Sequence, residues 1–227
     1  MLTGRGVRVA IVDSGVNPSH PHVERVAGGV AIDEHGVEHS DYIDRLGHGT
    51  AVTAAIREKA PDAELFAVKV FDRALSTNMA SLIAGIDWAA TAGMHLVNLS
   101  LGTSRQAHEP ALREAVGRAA GRGTLIVSAY QDGDTRWLPG SLPGVLPVLV
   151  DYTLARDRYR AASGGGVTIF HASGFAREIP DVPPERNLHG LSLAVANMTG
   201  FAARAAEVLT SRSLDAVVRA LCEGELV

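Results

Sequence analysis

Three residues of this chain combine a reactive side chain with a setting that could put it to use. Asp13 closes the β-branched apolar run VRVAIVD and leads into the glycine turn DSGV. In open α/β sheets, ligands gather at the carboxyl ends of strands, where this carboxylate stands. His48 lies in GHGT, between two glycines that let the backbone approach closely, with Thr50 opening a helical pattern. An imidazole at a helix start faces a strand end and titrates near neutral pH. Ser192 lies in HGLSLAVANMTG, two residues after Gly190 and at the start of another helical pattern. Backbone N–H groups and the positive dipole end at such a start point where an oxyanion would form, which suits a serine nucleophile. Taken singly, each has an ordinary structural explanation: a turn carboxylate, a histidine in a glycine turn, a helix-capping serine.

The elements that would position them can be read from periodicity. Residues 7–13, 65–71 (LFAVKVF), 95–102 (HLVNLSLG) and 124–130 (TLIVSAY) are apolar runs bounded by turn residues and read as strands. Between them, residues 49–60, 81–93 and 110–123 carry apolar positions three and four apart and read as amphipathic helices. Gly93 and Gly123 fall where left-handed helix caps are expected. Strand and helix alternating in this way predict an α/β fold with a mostly parallel central sheet and helices on both faces. Residues 132–190 are rich in Gly and Pro and read as weaker strands and surface loops. From 191 to 210 the pattern predicts a long, largely buried helix containing Met198 and Phe201, which with Trp88 are assigned to the core.

Composition narrows the function classes. The 227 residues are 46% hydrophobic and 20% charged, enough to bury one core, and residues 1–227 are read as a single domain. Acidic residues number 25 against 21 basic ones, scattered without a basic run, which argues against nucleic acid or an anionic membrane as partner. Cys222 is the single cysteine, so no disulfide framework is expected and a cytoplasmic location fits. The first residues reach an aspartate after about six apolar positions, too few for a signal peptide. They read as a first strand, with neither leader nor propeptide expected. No window offers the roughly 18 to 20 apolar residues that cross a bilayer.

The order Asp, His, Ser and the motifs around each resemble the subtilisin-like serine peptidases. The likeness runs over VAIVDSGVNPSHP at 9–21, GHGTAV at 47–52, APDAELFAVKVFD at 60–72, IAGIDWA at 83–89 and VNLSLG at 97–102. It continues through GRGTLIVSA, SLPGVLPV and GLSLAVANMTG at 190–200. The resemblance implies the family's three-layer fold and a triad in which Asp13 orients the imidazole, His48 takes the hydroxyl proton and Ser192 attacks a peptide carbonyl. It also implies that an extended peptide pairs with the edge at Ser100, Leu101 and Gly102, with Ala129 nearby. The implied activity is that of a serine endopeptidase, acting on a peptide or protein, for which a dedicated processing role suits a pared-down chain.

Several positions depart from the family pattern. Where the family presents an asparagine as oxyanion donor, beside the Ser192 backbone N–H, this chain reads SAYQDG and offers Gln131, whose amide is one methylene longer. Leu191, Ala196 and Asn197 replace the usual threonine, proline and histidine, and Ala51 replaces a histidine after the triad member. Between His48 and the strand at Leu65 the chain has only REKAP where relatives carry a calcium loop, so no metal or cofactor is expected. These changes leave two alternatives to hydrolysis: a peptide-binding pseudoenzyme, or an acyl-transferring ligase or cyclase. The pairs His20 with His22 and His35 with His39 read as solvated loop residues rather than metal ligands. Arg156, Arg158 and Arg160 read as a solvated face that could meet an acidic partner.

Overall fold

The computed structural model describes residues 1–164 and 166–224. Its strands are β1 (Arg8–Asp13), β2 (Gly28–Ile32), β3 (Glu38–His39), β4 (Glu64–Lys69), β5 (Leu96–Leu99), β6 (Leu125–Ala129), β7 (Gln131–Asp132), β8 (Thr135–Arg136), β9 (Val145–Val150), β10 (Tyr159–Gly164) and β11 (Val167–Ala172). The helices are α1 (His48–Lys59), α2 (Met79–Thr91), α3 (Glu109–Gly121), α4 (Leu191–Ala206) and α5 (Leu214–Gly224). Nine strands form one sheet in the order β10-β11-β9-β6-β5-β1-β4-β2-β3, and β7 and β8 form a separate hairpin. Pairing is parallel except at the two edges, where β10 and β3 run antiparallel to their neighbours.

The centre of the sheet explains the apolar run at the start of the chain. Along β1, Val9 and Ile11 enter the core on one face and Ala10 and Val12 enter the core on the other, all fully buried. A strand covered on both faces reads as continuous hydrophobicity rather than alternation. Helices α1, α4 and α5 pack over the first face and α2 and α3 over the second, giving three layers. None of the helices among the described residues is long and apolar enough to cross a membrane.

Residues 132–190 hold more order than their Gly and Pro content suggests. Strand β9 places Val145, Leu146 and Val148 in the core, and β11 adds Phe170 and Ala172. Strand β5 ends at Leu99, earlier than the apolar run through 102, because Ser100 turns to bond Ser192 on α4. Helix α4 ends at Ala206 rather than near 210. Arg212 caps the Ala206 carbonyl at 3.0 Å, and the Glu207 carboxylate accepts the Thr3 and Gly4 amides at 2.6 and 2.7 Å. Of the three arginines, Arg156 is largely covered and pairs with Glu58, and Arg160 meets Asp151 at 3.2 Å, while Arg158 is exposed.

Helices α1 and α4, which begin at the two reactive ends, cross in close contact at Gly200. A Cβ there would lie 2.5 Å from Lys59 Cβ and 3.3 Å from the Ile56 carbonyl. We therefore expect Gly200→Ala to destabilise the protein by about 1–3 kcal/mol through overpacking, although alanine is the better helix former. A lower urea midpoint would show this, and an unchanged or higher midpoint would show that the two helices separate freely.

Candidate active site

The site begins with a carboxylate that the sheet has taken out of water. Asp13 ends β1 between β4 and β5 and is fully buried. Its Oδ1 accepts the Ser14 amide at 2.7 Å and the His48 ring at 2.7 Å through Nδ1. Because the carboxylate only accepts, the neutral imidazole carries its proton on Nδ1 and leaves Nε2 as a base. The contact requires α1 to start against the β1 turn, and Gly49 permits that approach. A Cβ at 49 would sit 2.2 Å from the Gly15 carbonyl and 3.2 Å from Asp13 Oδ1.

A second carboxylate, one with no evident role in the sequence pattern, fixes this helix start. Asp44 Oδ1 accepts Ser14 Oγ at 2.9 Å, the Leu46 amide at 2.8 Å and the Gly47 amide at 2.9 Å. Its Oδ2 accepts the Thr50 amide at 2.9 Å and the Thr50 hydroxyl at 2.6 Å. Ser14 Oγ in turn accepts the Gly49 amide at 2.9 Å. Helix-start donors that lack intrahelical partners are thus met from the β1 turn and from Asp44. The available signal was an aspartate just ahead of a helix start in DRLGHGT.

Electrostatics follow from this clamp. Burial acts to lower the basicity of His48, but the hydrogen bond and charge of Asp13, with the charge of Asp44, outweigh it and hold its pKa above the ordinary value. For Asp44, burial favours the neutral acid, and the Thr50 hydroxyl and amide with the Leu46 and Gly47 amides overcome it, so its pKa is lowered.

Ser192 stands on the opposite bank, at the first turn of α4 after Gly190. Its hydroxyl donates to the Ser100 carbonyl at 3.1 Å, and the Ser100 hydroxyl donates to the Ser192 carbonyl at 3.1 Å. Asn98 Nδ2 holds Ser100 Oγ at 2.8 Å, and Thr199 Oγ1 holds Asn98 Oδ1 at 2.9 Å. The parallel register pairs Val12 with Leu99, on strands about 4.8 Å apart, so Asp13 at the end of β1 and Ser100 just beyond β5 leave the sheet side by side. His48 and Ser192 are thus each anchored to one of two neighbouring strand ends. The Ser192 hydroxyl is turned to Ser100 and not to His48. Catalytic hydrogen bonds often form only once substrate is in place.

The remaining expected residues fall in two groups. Leu101 is half-buried against the α2–α3 core, and Thr103 beyond Gly102 exchanges two backbone hydrogen bonds with Leu138, at 3.0 and 2.9 Å. Ala129 ends β6 beside this edge, half-buried. Gln131 starts the β7–β8 hairpin, and its amide donates to the Gly133 carbonyl at 2.6 Å, which engages it in its own turn. Asn197, one of the departures, donates to the Ser173 and Phe175 carbonyls at 2.9 and 3.1 Å and pins the segment that precedes Ser192. His20 and His22 meet edge to face at 5.3 Å, and His39 pairs with Asp33 at 2.9 Å. Among the described residues no group of three His, Cys, Asp or Glu is placed to hold a metal ion.

Comparison with known proteins matches residues 4–149 to the model of the subtilase family, a span that includes Asp13 and His48 and stops short of Ser192. The chain is 34% identical over 172 residues to the minor extracellular protease Epr of Bacillus subtilis, covering 71% of this chain and 25% of that protein. It is 40% identical over 137 residues to a thermostable alkaline protease of Halalkalibacterium halodurans, covering 56% of this chain and 36% of that one. The match thus spans a quarter to about a third of these relatives' own length. In fold it resembles a cold-adapted subtilisin-like serine proteinase, with a TM-score of 0.74 and 21% identity over 96% of this chain and 81% of the other. A protease of Pseudoalteromonas arctica gives 0.72 and 20% over 95% and 82%.

Asp44→Asn removes the charge that supports the His48 imidazolium and points an NH2 at the Thr50 donors. We expect the His48 pKa, followed by NMR titration, to fall, and stability to drop by about 1–3 kcal/mol. Because the folded pKa of Asp44 is depressed, its contribution is present above its unfolded value near 4 and lost as pH falls through the folded value. The variant should therefore lose less stability than the parent on acidification. An unmoved His48 titration would remove Asp44 from the site's electrostatics.

Proposed function

The chain belongs to the subtilase family, and from that footing we propose that it is a serine endopeptidase using Asp13, His48 and Ser192 on peptide or protein substrates. The observation that carries this reading is the buried 2.7 Å contact between Asp13 and His48 Nδ1, which leaves Nε2 free to act as base. An extended substrate lies along Ser100, Leu101 and Gly102. Its arrival gives the Ser192 hydroxyl reason to leave the Ser100 carbonyl and turn to His48. His48 takes the proton as Ser192 Oγ attacks the carbonyl carbon, and the raised basicity imposed by Asp13 and Asp44 favours the imidazolium that results. The oxyanion meets the Ser192 N–H at the positive end of α4. The imidazolium then protonates the leaving amine, and water, activated by the same base, hydrolyses the acyl-enzyme.

The reading extends to a slow, selective enzyme that processes chosen substrates. With Gln131 engaged by Gly133, one fixed oxyanion donor remains on the α4 side, and a single donor of this kind is worth about 10² to 10³ in rate. A second reading, a peptide-binding module without turnover, draws on the same feature and on the Ser192 hydroxyl bonded to Ser100.

Intact-mass labelling with a fluorophosphonate decides between them. Stoichiometric modification of the parent, absent in Ser192→Ala and in His48→Ala, is expected. Folded parent protein that stays unlabelled would favour the binding module. We further expect Gln131→Ala to leave kcat/KM within about twofold, since its amide serves the hairpin, whereas a loss approaching the 10² of a lost oxyanion donor would place that amide in the hole.

A further inference from the structure

Against the residues that flank His48 lies a groove of about 420 Å³, whose lining includes none of Ser100, Leu101 and Gly102. One wall is Leu46, Gly47 and Ala51, which flank His48, and the other is the 176–188 strap that leads to Ser192. Leu46, Ile179 and Leu188 give it an exposed apolar rim. Its floor carries His20, His22 and Arg177. The Arg177 guanidinium donates to the His22 carbonyl at 3.0 Å, and no carboxylate among the described residues pairs with it. Of the other two charged groups of the groove, Arg45 is paired with Asp41 at 2.6 Å, and Asp44 keeps its charge but is tied to the start of α1 by five hydrogen bonds.

We propose that this groove is a subsite for an acidic side chain on the leaving-group side of the substrate, with Arg177 as its counter-charge. The proposal rests on the peptidase reading, which fixes the polarity of the cleft. His48 must deliver a proton to the leaving amine, so the leaving segment departs along the His48 bank, while the acyl segment lies along the Ser100 edge. The groove touches the first bank and none of the second. Apolar walls around one unpaired guanidinium fit the methylene stem and carboxylate of Glu or Asp, and an arginine fork binds a carboxylate with two donors. Burial, Arg177 and His20 lower the His22 pKa, so His22 is neutral near pH 7 and Arg177 supplies the lasting charge.

The test uses full-length Ser192→Ala protein and fluorescent decapeptides, alike except for Glu, Gln or Lys in the C-terminal half, with binding read by anisotropy. The Glu peptide should bind roughly tenfold tighter than the Gln peptide, a difference of about 1.4 kcal/mol, and the Lys peptide weakest. Arg177→Lys should keep most of the order, Arg177→Gln should abolish it and Arg177→Glu should reverse it. Peptides that bind alike or not at all, or an order indifferent to these substitutions, would overturn the proposal. Parallel cleavage assays with Ser192 intact separate the two claims. Turnover without charge preference sinks the groove alone, and charge-selective binding without turnover sinks the peptidase reading and leaves the groove as a peptide site.

Discussion

A carboxylate without access to water constrains the rest of this molecule. Moving such a charge into the interior costs several kcal/mol unless hydrogen bonds and an opposite charge compensate it. For Asp13 that compensation comes from the Ser14 amide and the His48 ring on Oδ1, while Oδ2 is buried without a partner. The ring must therefore be held firmly, and the means are visible in the chain around it. Gly49 brings the α1 backbone against the β1 turn, Ser14 Oγ accepts the Gly49 amide, and Asp44 takes the remaining first-turn donors. A buried charge that costs stability is in this way tied to a helix start whose unpaired amides needed partners in any case.

The second half of the site depends on the same sheet. Strand β5 lies beside β1 in parallel register, so its chain end emerges next to Asp13. Ser100 at that end grips the first turn of α4 through two reciprocal hydrogen bonds, and Asn98 and Thr199 support it from within the core. Helices α1 and α4 then cross where Gly200 meets Lys59. His48 and Ser192 are each placed by one strand end and by one helix of a packed pair. Rigid elements set the separation, and loops do not.

The parts of this arrangement legible in the sequence are those with a strong local signal. Strand β1 shows itself because burial on both faces demands an unbroken apolar run, and α1 because its apolar spacing follows a glycine turn. Strands β2 and β3 carry no such signal. GGVAI is half-exposed beside the short edge strand, and that edge strand, Glu38 with His39, is exposed throughout. Helix α5 leaves a brief signal because it is short and only Val217 and Leu221 of its apolar residues are buried. Strand β9 gives a weak signal because Pro143 lies just before it and Pro147 interrupts its core residues. Asp44 and Gln131 mark the limit most clearly. Both offer suitable groups at suitable positions in the chain, but what each touches is decided by turns whose geometry is not written in residue type. Asp44 folds over the helix start, and Gln131 folds back on Gly133.

The asymmetry between the two banks bears on how a peptidase built this way would reach useful rates. Electrostatic stabilisation of the oxyanion commonly lowers the barrier to acyl transfer more than any other effect, and on the proposed reading its fixed source among the described residues is the α4 helix start. The general-base side is by contrast over-determined, with two carboxylates raising the basicity of His48. A strong base cannot replace a missing oxyanion donor, because the two act on different atoms of the transition state. Contacts remote from the reacting carbonyl can offset the deficit by holding a substrate in an attack-ready pose, which converts binding energy into rate only for substrates that make those contacts. On the proposed reading, the Ser100–Gly102 edge and the groove that holds Arg177 would supply such contacts. On the proposed reading, a weakened oxyanion hole and a demanding cleft would be two consequences of the same construction, and selectivity would follow from both.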